Sequence, residues 1–222
     1  MIRLAIAKHR STSSDLLAKL SMVNHLPLQV AVAGHPNLSE STAGKLMKKQ
    51  LRELRKALAS NPKIPEFVME RLCKDFKDVR ACLARNPKIP IKIMKRLATH
   101  KEREVRIGLA RNTSLAVSLL EKLSQDVDEA VRMAVAHHHR LPMAGLKALA
   151  GDKSQRVREV IFERSLEDYP YERSIFEALA QVKPSLIAQQ AEEHLHTLDT
   201  KGKGLENLLE GGSNGMDDED EA

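Results

Sequence analysis

The sequence predicts an all-α fold, namely a right-handed superhelical solenoid of about seven repeats of 25–26 residues each. One observation is composition: the 222 residues are 42% hydrophobic but only 3% aromatic, contain no Trp, and are rich in the helix formers Leu, Ala, Lys, Arg and Glu. A second observation is an internal period, because the dipeptide Val-Arg returns every 26 residues. Its copies are Val79-Arg80, Val105-Arg106, Val131-Arg132 and Val157-Arg158.

Two further columns of residues follow the same period. A leucine column consists of Leu20, Leu46, Leu72, Leu97, Leu123 and Leu149. An alanine column consists of Ala7, Ala33, Ala59, Ala84, Ala110 and Ala136. Helices of about nine residues are marginal in water on their own. Each repeat is therefore expected to bury its leucine and alanine columns against its neighbours.

Each repeat is predicted to contain two helices, joined by a turn and closed by a corner. In the clearest copy the first helix spans 66–74, a tight turn lies near Asp75, and the second helix ends at Arg85. The corner motif Asn-Pro-Lys-Ile-Pro occurs at 61–65 and again at 86–90. We expect its Asn to take the left-handed backbone conformation that ends a helix. The first Pro then prevents continuation, and the second Pro suits the first turn of the next helix.

The regular step breaks near Pro170, and the sequence predicts three segments. They are a repeat solenoid over 1–168, capping helices over 169–198, and a disordered Gly-rich and acidic tail over 199–222. The net charge is +6, but residues 206–222 carry seven acidic residues and no Lys or Arg, so the preceding part carries +13. A basic body therefore precedes an acidic tail.

The pattern Val-Arg-x-x-[Leu/Val]-Ala-x-Asn-Pro-x-[Leu/Ile]-Pro, followed by x-Leu-[Ala/Cys/Ser]-x-Asp, resembles the leucine-rich repeat variant family, which is related in shape to HEAT-type helical solenoids. The resemblance covers about three quarters of the chain. It is clearest in residues 54–78, 79–104, 105–130 and 131–156. It implies that the second helical element of a repeat is either α or 3₁₀, and periodicity does not decide between them.

The resemblance does not extend to a cofactor. The founding member of the family has an N-terminal cysteine cluster that holds an iron–sulfur centre, whereas this chain contains only Cys73 and Cys82. Both occupy columns of small residues, and we predict that they are core residues and that no cofactor is bound. No HExxH, GxGxxG, GxxxxGK[ST] or GxSxG motif occurs, so we predict no enzyme activity.

Two polar clusters have structural interpretations. By resemblance to HEAT-like repeats, an Asp that opens a second helix bonds an Arg further along it, and these bonds form a ladder between repeats. The pairs Asp126–Arg132 and Asp152–Arg158 fit that spacing, and Asp75–Arg80 nearly does. The run His137-His138-His139 invites a metal site, but adjacent helical residues point about 100° apart and do not converge on one ion. We interpret these histidines as capping residues.

Seven cations are the candidate partner-binding or anion-binding residues. Five precede the leucine column in successive repeats and form the cation stripe, and two lie in the Asn-Pro corners and are the corner lysines. The cation stripe is Lys19, Lys45, Arg71, Arg96 and Lys122, and the corner lysines are Lys63 and Lys88. Helix packing predicts a spacing of about 10 Å between neighbours in the stripe. The alternative is that exposed helix positions simply favour Lys and Arg.

The predicted function is a non-enzymatic scaffold that binds a protein partner through this extended basic face. The alternative is a DNA or RNA backbone-binding protein related to HEAT-like DNA alkylbase glycosylases, although the absence of Trp argues against recognition of an extruded base. A homo-oligomer formed through the uncapped half-repeat at residues 2–7 is a further hypothesis. No apolar run reaches the roughly 18 residues of a membrane span and no signal-peptide core is present, so a cytoplasmic location without a membrane partner is expected.

Overall fold

The structure is a computed structural model, and it describes residues 2–170 and 172–211. These residues form fifteen α-helices and no strand. The helices are α1 (Ile2–Lys8), α2 (Ser14–Ser21), α3 (Leu26–Ala33), α4 (Glu40–Met47), α5 (Arg52–Ser60), α6 (Glu66–Leu72), α7 (Lys77–Arg85), α8 (Ile91–Ala98), α9 (Arg103–Ala110), α10 (Val117–Ser124), α11 (Glu129–Ala136), α12 (Met143–Ala150), α13 (Gln155–Asp168), α14 (Arg173–Ala180) and α15 (Leu186–Gly211). The predicted all-α repeat fold is confirmed.

The chain divides into two compact units, Met1–Pro142 and Met143–Ala222. The predicted boundary at residue 168 lies inside the second unit, at the end of α13. The division of the chain into a solenoid and capping helices at that residue stays a prediction.

The first unit consists of two layers of helices. Helices α1, α3, α5, α7, α9 and α11 pack on one another in order and form the second-helix layer. Helices α2, α4, α6, α8 and α10 form the first-helix layer, and each packs on the second helix that follows it. Both members of every pair are α-helical, which decides between the α and 3₁₀ alternatives for this chain.

The core of the repeats is aliphatic, as the columns predicted. No member of the leucine column or the alanine column is more than 7% exposed. In two repeats a serine stands where the second Pro of the corner would be and caps the next helix: the Ser13 hydroxyl accepts from the Leu16 N–H, and the Ser39 hydroxyl accepts from the Thr42 N–H. Pro65 and Pro90 instead occupy the N-cap position, one residue before the predicted first turn.

The corner asparagines differ from the prediction. Asn61 has φ −79° and ψ 118°, and Asn86 has φ −68° and ψ 121°, so neither is left-handed. The reason is the following proline, whose ring restricts the preceding residue to extended backbone. The predicted left-handed conformation is therefore wrong at both corners.

The same asparagines form a buried ladder between repeats. Asn86 Nδ2 donates to the Ala59 carbonyl at 2.8 Å and to the Asn61 carbonyl at 2.9 Å, and Asn86 Oδ1 accepts from the Lys88 N–H at 3.0 Å. Asn61 and Asn112 make the equivalent bonds to the repeat before each of them. Each Asn thus satisfies two buried carbonyls that its own repeat cannot reach.

Histidine replaces asparagine at two places in this ladder. His138 Nε2 lies 2.9 Å from the Asn112 carbonyl, and its Nδ1 accepts from the Arg140 N–H at 3.1 Å. His35 makes the same pair of bonds, to the His9 carbonyl and from the Asn37 N–H. Because Nδ1 accepts, Nε2 carries the proton and donates. His138 is therefore a ladder residue rather than a simple helix cap.

Helices α7 and α9 approach each other closely at Gly108. A Cβ added to Gly108 would lie 2.6 Å from the carbonyl oxygen of Ala81, which is a backbone atom and cannot rotate away. Cys82 and Ala57 stand in the same column of the preceding repeats. Only a residue without a side chain fits this crossing without displacing a helix.

Replacement of Gly108 with alanine is expected to destabilise the protein by about 1–3 kcal/mol, because one helix must shift to accommodate the methyl group. Urea unfolding followed by far-UV circular dichroism measures the change. The matched control is Gly44→Ala in α4, where the added Cβ would meet only Phe67 at 3.6 Å and helix propensity improves. Equal stability of the G108A variant and the natural protein would contradict the close approach.

The second unit has a small aromatic core. Phe176 of α14 is fully buried, the Phe162 ring of α13 meets it edge-on with 6.1 Å between centroids, and the His194 ring of α15 lies 4.2 Å from it. Helices were predicted within 169–198, where α14 lies and α15 begins. Among the described helices, none combines the length and the apolar character that crossing a membrane requires.

The structure differs from the predicted tail at 199–211. Helix α15 continues to Gly211, whereas disorder was predicted from residue 199. The Lys, Leu and Glu residues of this segment are good helix formers, and they extend an established helix despite the interspersed glycines. The rest of the predicted tail, 212–222, lies outside the described residues.

Candidate functional site

The cation stripe runs along the first-helix layer. Its members stand in the last turn of α2, α4, α6, α8 and α10, one residue before the buried leucine column, and all are exposed. A cation in the last turn of a helix is stabilised by the negative end of the helix dipole. The cations of the stripe therefore stabilise their own helices, whether or not they also bind a partner.

The five members of the stripe are not equivalent. Arg96 Nη2 lies 3.0 Å from the Glu70 carboxylate of the preceding first helix. Arg96 also neighbours Cys73, whose pKa is raised by burial and lowered by the guanidinium to a smaller extent. Among the described residues, the remaining four cations of the stripe have no ion pair. A partner that binds Arg96 must therefore displace the Glu70 carboxylate.

The corner lysines do not join the stripe. Lys63 and Lys88 are exposed, but they lie before the first turn of α6 and α8, whereas Arg71 and Arg96 lie in the last turn of the same helices. A helix of seven or eight residues separates the two groups by about 10 Å. The structure therefore places the seven predicted cations at two ends of the first helices.

A shallow groove lies across α4 and α6 in the middle of the stripe. It encloses about 440 Å³. Its lining residues are Glu40, Ser41, Gly44, Lys45, Lys48, Phe67 and Arg71. The Phe67 side chain is 46% exposed and borders the space left by Gly44. The groove thus combines an aromatic face with three cations.

Sequence reasoning missed two residues of this groove. Lys48 stands one helical turn after Lys45, and Lys74 occupies the same position in the next repeat, so a second cationic column was visible in the periodic alignment. Phe67 lies four residues before Arg71, which places both on one face of α6. The exposure of Phe67 was not predictable, because it depends on a glycine in the neighbouring repeat.

The arginine column forms ion pairs between repeats. Arg55 Nη1 lies 2.8 Å from the Asp75 carboxylate, and Arg106 donates to both oxygens of Asp126 at 2.7 and 2.9 Å. Arg80 pairs with Glu102 in the same way, and its hydrogen bond lowers the pKa of Glu102. These rungs link each second helix to the loop of the next repeat.

This pairing corrects the predicted ladder. Arg132 Nη1 donates to the Asp126 main-chain carbonyl at 2.7 Å, and Arg158 Nη1 does the same to Asp152 at 2.7 Å. The Asp126 carboxylate is instead held by Arg106 of the preceding repeat. The predicted residues are therefore hydrogen-bonded, but through the main-chain carbonyl of the Asp, whereas the Asp126 carboxylate pairs with the arginine of the preceding repeat.

The exposed side of the second-helix layer is neutralised by a further series of ion pairs. Arg52 lies 2.6 Å from Asp78, whose pKa is lowered by that hydrogen bond. Further along, Lys77 lies 3.5 Å from Glu104, and Arg103 lies 3.5 Å from Asp128. Each pair joins residues 25–27 apart. These three cations of the second helices are therefore neutralised, unlike the four unpaired cations of the stripe.

The three adjacent histidines border one cavity of about 390 Å³ but do not form a metal site. His138 is buried in the asparagine ladder and its ring stacks on that of His139, with 4.8 Å between centroids, whereas His137 and His139 are exposed. The described part of the chain contains no group of three or more His, Cys, Asp or Glu side chains placed to hold a metal ion.

Comparison with known proteins supports the fold. A solved structure of a leucine-rich repeat variant with a novel repetitive structural motif is similar over 73% of this chain, with a TM-score of 0.52 and 22% identity. This chain spans 65% of that protein's length. The repeat architecture is therefore the one that the sequence resemblance implied.

Two other solved structures are more distant. A designed armadillo repeat protein in complex with the peptide (KR)4 aligns over 89% of this chain and 90% of its own, at 13% identity and a TM-score of 0.27. An engineered protein aligns over 90% of both chains, at 13% identity and a TM-score of 0.25. No protein-family model matches the chain. No curated protein matches it either.

Proposed function

We propose that the chain is a non-enzymatic, cytoplasmic scaffold whose first-helix layer binds an extended acidic segment of a partner protein. The observation that carries this proposal is the set of four exposed cations without a described ion pair, one on each of α2, α4, α6 and α10. The repeat fold supports a binding role, because stacked helices present one extended surface.

The spacing of the cations favours an extended peptide. Neighbouring helices pack about 8–10 Å apart, and a chain in the polyproline II conformation rises about 3.1 Å per residue with three residues per turn. Side chains three residues apart therefore lie on one face of such a chain, about 9 Å apart, so one carboxylate at every third residue meets one cation per repeat. The partner class is an extended segment of polyproline II type with Glu or Asp at that interval.

Exposed apolar side chains on the same helices as the cations favour a protein over a nucleic acid. Phe67, Ile91 and Val117 of α6, α8 and α10 are each at least 39% exposed. They can contact the residues that lie between the carboxylates of an extended peptide. Phosphate-directed binding would use the cations alone.

Reversal of two cations tests the proposal. In the K45E/R71E variant, affinity for a fluorescein-labelled peptide with Glu at every third residue is expected to fall at least about tenfold, or about 1.4 kcal/mol. Fluorescence anisotropy at low salt measures the affinity. The matched control is K153E/R156E, which reverses two exposed cations outside the stripe. Equal losses in both variants would show that only net charge matters.

The same measurement with duplex DNA tests the alternative function. Full use of the four unpaired cations predicts a log–log salt slope near −3.6, from about 0.9 per phosphate neutralised. DNA binding with this slope, lost in K45E/R71E and tighter than peptide binding, would replace the protein partner by a nucleic-acid backbone. The homo-oligomer through residues 2–7 stays a separate prediction.

A further inference from the structure

Arg158 differs from the other arginines of its column. Arg158 lies on the buried face of α13 and is only 5% exposed. Within the described part of the chain, its guanidinium makes one hydrogen bond, from Nη1 to the Asp152 main-chain carbonyl, and its Nε has no partner. No described carboxylate pairs with it.

The earlier rungs of the column show what such an arginine normally holds. Arg55, Arg80 and Arg106 each pair with a carboxylate from the loop after the next first helix. Arg106 also donates to main-chain carbonyls of its own loop, as Arg158 does. Arg158 thus shares with Arg106 the bond to its own loop, and the two differ in the carboxylate that holds the rest of the Arg106 guanidinium.

Val182 occupies the place where the next carboxylate would stand. Its N–H donates to the Leu179 carbonyl at 3.3 Å, just as the Asp126 N–H donates to Leu123 and the Asp75 N–H to Leu72, both at 3.1 Å. The backbone register of the loop after α14 is thus the same as in the earlier repeats. The fold retains the buried arginine and the loop but supplies an isopropyl group in place of the carboxylate.

A buried guanidinium without a counter-charge is unfavourable, because desolvation of the charge is not offset by an ion pair. Arginine stays protonated in proteins, so the charge cannot be removed by titration. The planar fork of N–H donors suits a carboxylate or another oxyanion, which accepts two parallel hydrogen bonds. The uncompensated group consequently favours an anion that the described chain does not itself provide.

We propose that Arg158, at the last rung of the arginine column, is a binding site for an oxyanion from outside the described chain. Two sources have this chemistry, namely a free oxyanion such as phosphate and a Glu or Asp side chain of a partner protein. The proposal is independent of the cation stripe, which lies in the first unit of the chain.

The test compares the natural protein with Val182→Asp, which restores a carboxylate at the position of Asp75 and Asp126. Every protein in this test carries K45E/R71E, so that the cation stripe does not bind the anions. Urea unfolding is measured during a phosphate titration at constant ionic strength, and again with an acetylated hexa-aspartate peptide. For the natural protein, the ratio of folded to unfolded molecules is expected to rise saturably, by about 100-fold at 100 times the dissociation constant. V182D is expected to unfold at higher urea without added anion and to show no saturable rise.

Two further variants keep the test decisive if V182D folds poorly. Arg158→Gln removes the charge and is expected to abolish the saturable rise, whereas Arg106→Gln lowers stability by breaking a complete rung and is expected to retain it. A saturable rise of the folded-to-unfolded ratio with phosphate identifies a free oxyanion as the ligand. A larger rise with the peptide, when its carboxylate concentration equals the phosphate concentration, identifies a partner side chain. Absence of any saturable rise, or the same rise in R158Q, would overturn the proposal.

Discussion

Replacement of Asn86 with alanine is expected to destabilise the protein by about 2–6 kcal/mol, because two buried carbonyls lose their donor at a cost of about 1–3 kcal/mol each. The carbonyls belong to Ala59 and Asn61 in the preceding repeat. No water can reach them, since Asn61 and Ala59 are at most 1% exposed. Urea unfolding followed by far-UV circular dichroism measures the loss.

Two controls isolate the ladder from other effects of the change. Asn24→Ala removes an exposed asparagine and is expected to change stability by less than about 0.5 kcal/mol. Asn86→His is expected to recover part of the loss, because His35 makes the equivalent bonds and is also followed by proline. Equal destabilisation by the Ala and His substitutions would mean that shape rather than the donated hydrogen bonds matters at position 86.

Replacement of Leu97 with alanine is expected to cost about 2–5 kcal/mol, as for other large-to-small changes in a core. Leu97 is 1% exposed in α8, which packs on α9 and on α10. Each repeat is buried only against its neighbours, so the packing lost with one leucine side chain is not replaced by contacts elsewhere. Calorimetric or urea unfolding of the variant measures the change.

The matched control for Leu97 lies on the same helix. Ile91 of α8 is 49% exposed, and Ile91→Ala is expected to change stability by less than about 0.5 kcal/mol. Because Ile91 also borders the proposed peptide surface, this variant doubles as a probe of binding. A cost below about 1 kcal/mol for L97A would contradict the role of the leucine column as the shared interior of the repeats.

The two faces of the repeats use the same 26-residue period for different purposes. On the second helices, Arg52, Lys77 and Arg103 each find an acid in the next repeat, so the period produces a self-neutralising surface. On the first helices the period repeats a cation that makes no ion pair with a described residue, except where Glu70 meets Arg96. Only the first helices leave unpaired charge for a partner, which is why the proposed surface follows the first-helix layer.

Much of the fold could be predicted because a repeat is a local pattern seen many times. The leucine and alanine columns, to which Leu97 and Ala84 belong, recur at a fixed step in a chain without Trp. This recurrence predicted the all-α repeat architecture and its buried columns. The cations of the stripe could be predicted for the same reason, since Lys45 and Arg71 stand one residue before that leucine column. Their exposure followed directly from the burial of the leucine.

The tertiary structure alone decided which atoms of neighbouring repeats meet. The sequence predicted that Asn86 only ends its own helix, although its side chain donates hydrogen bonds to the repeat before it. Likewise the Asp126 carboxylate pairs with Arg106 of the preceding repeat while Arg132 donates to the Asp126 main-chain carbonyl, and Arg96 forms an ion pair with Glu70. A sequence period fixes the register along the chain, but partners across an interface depend on the separation and rotation of stacked helices, which only the packed structure defines.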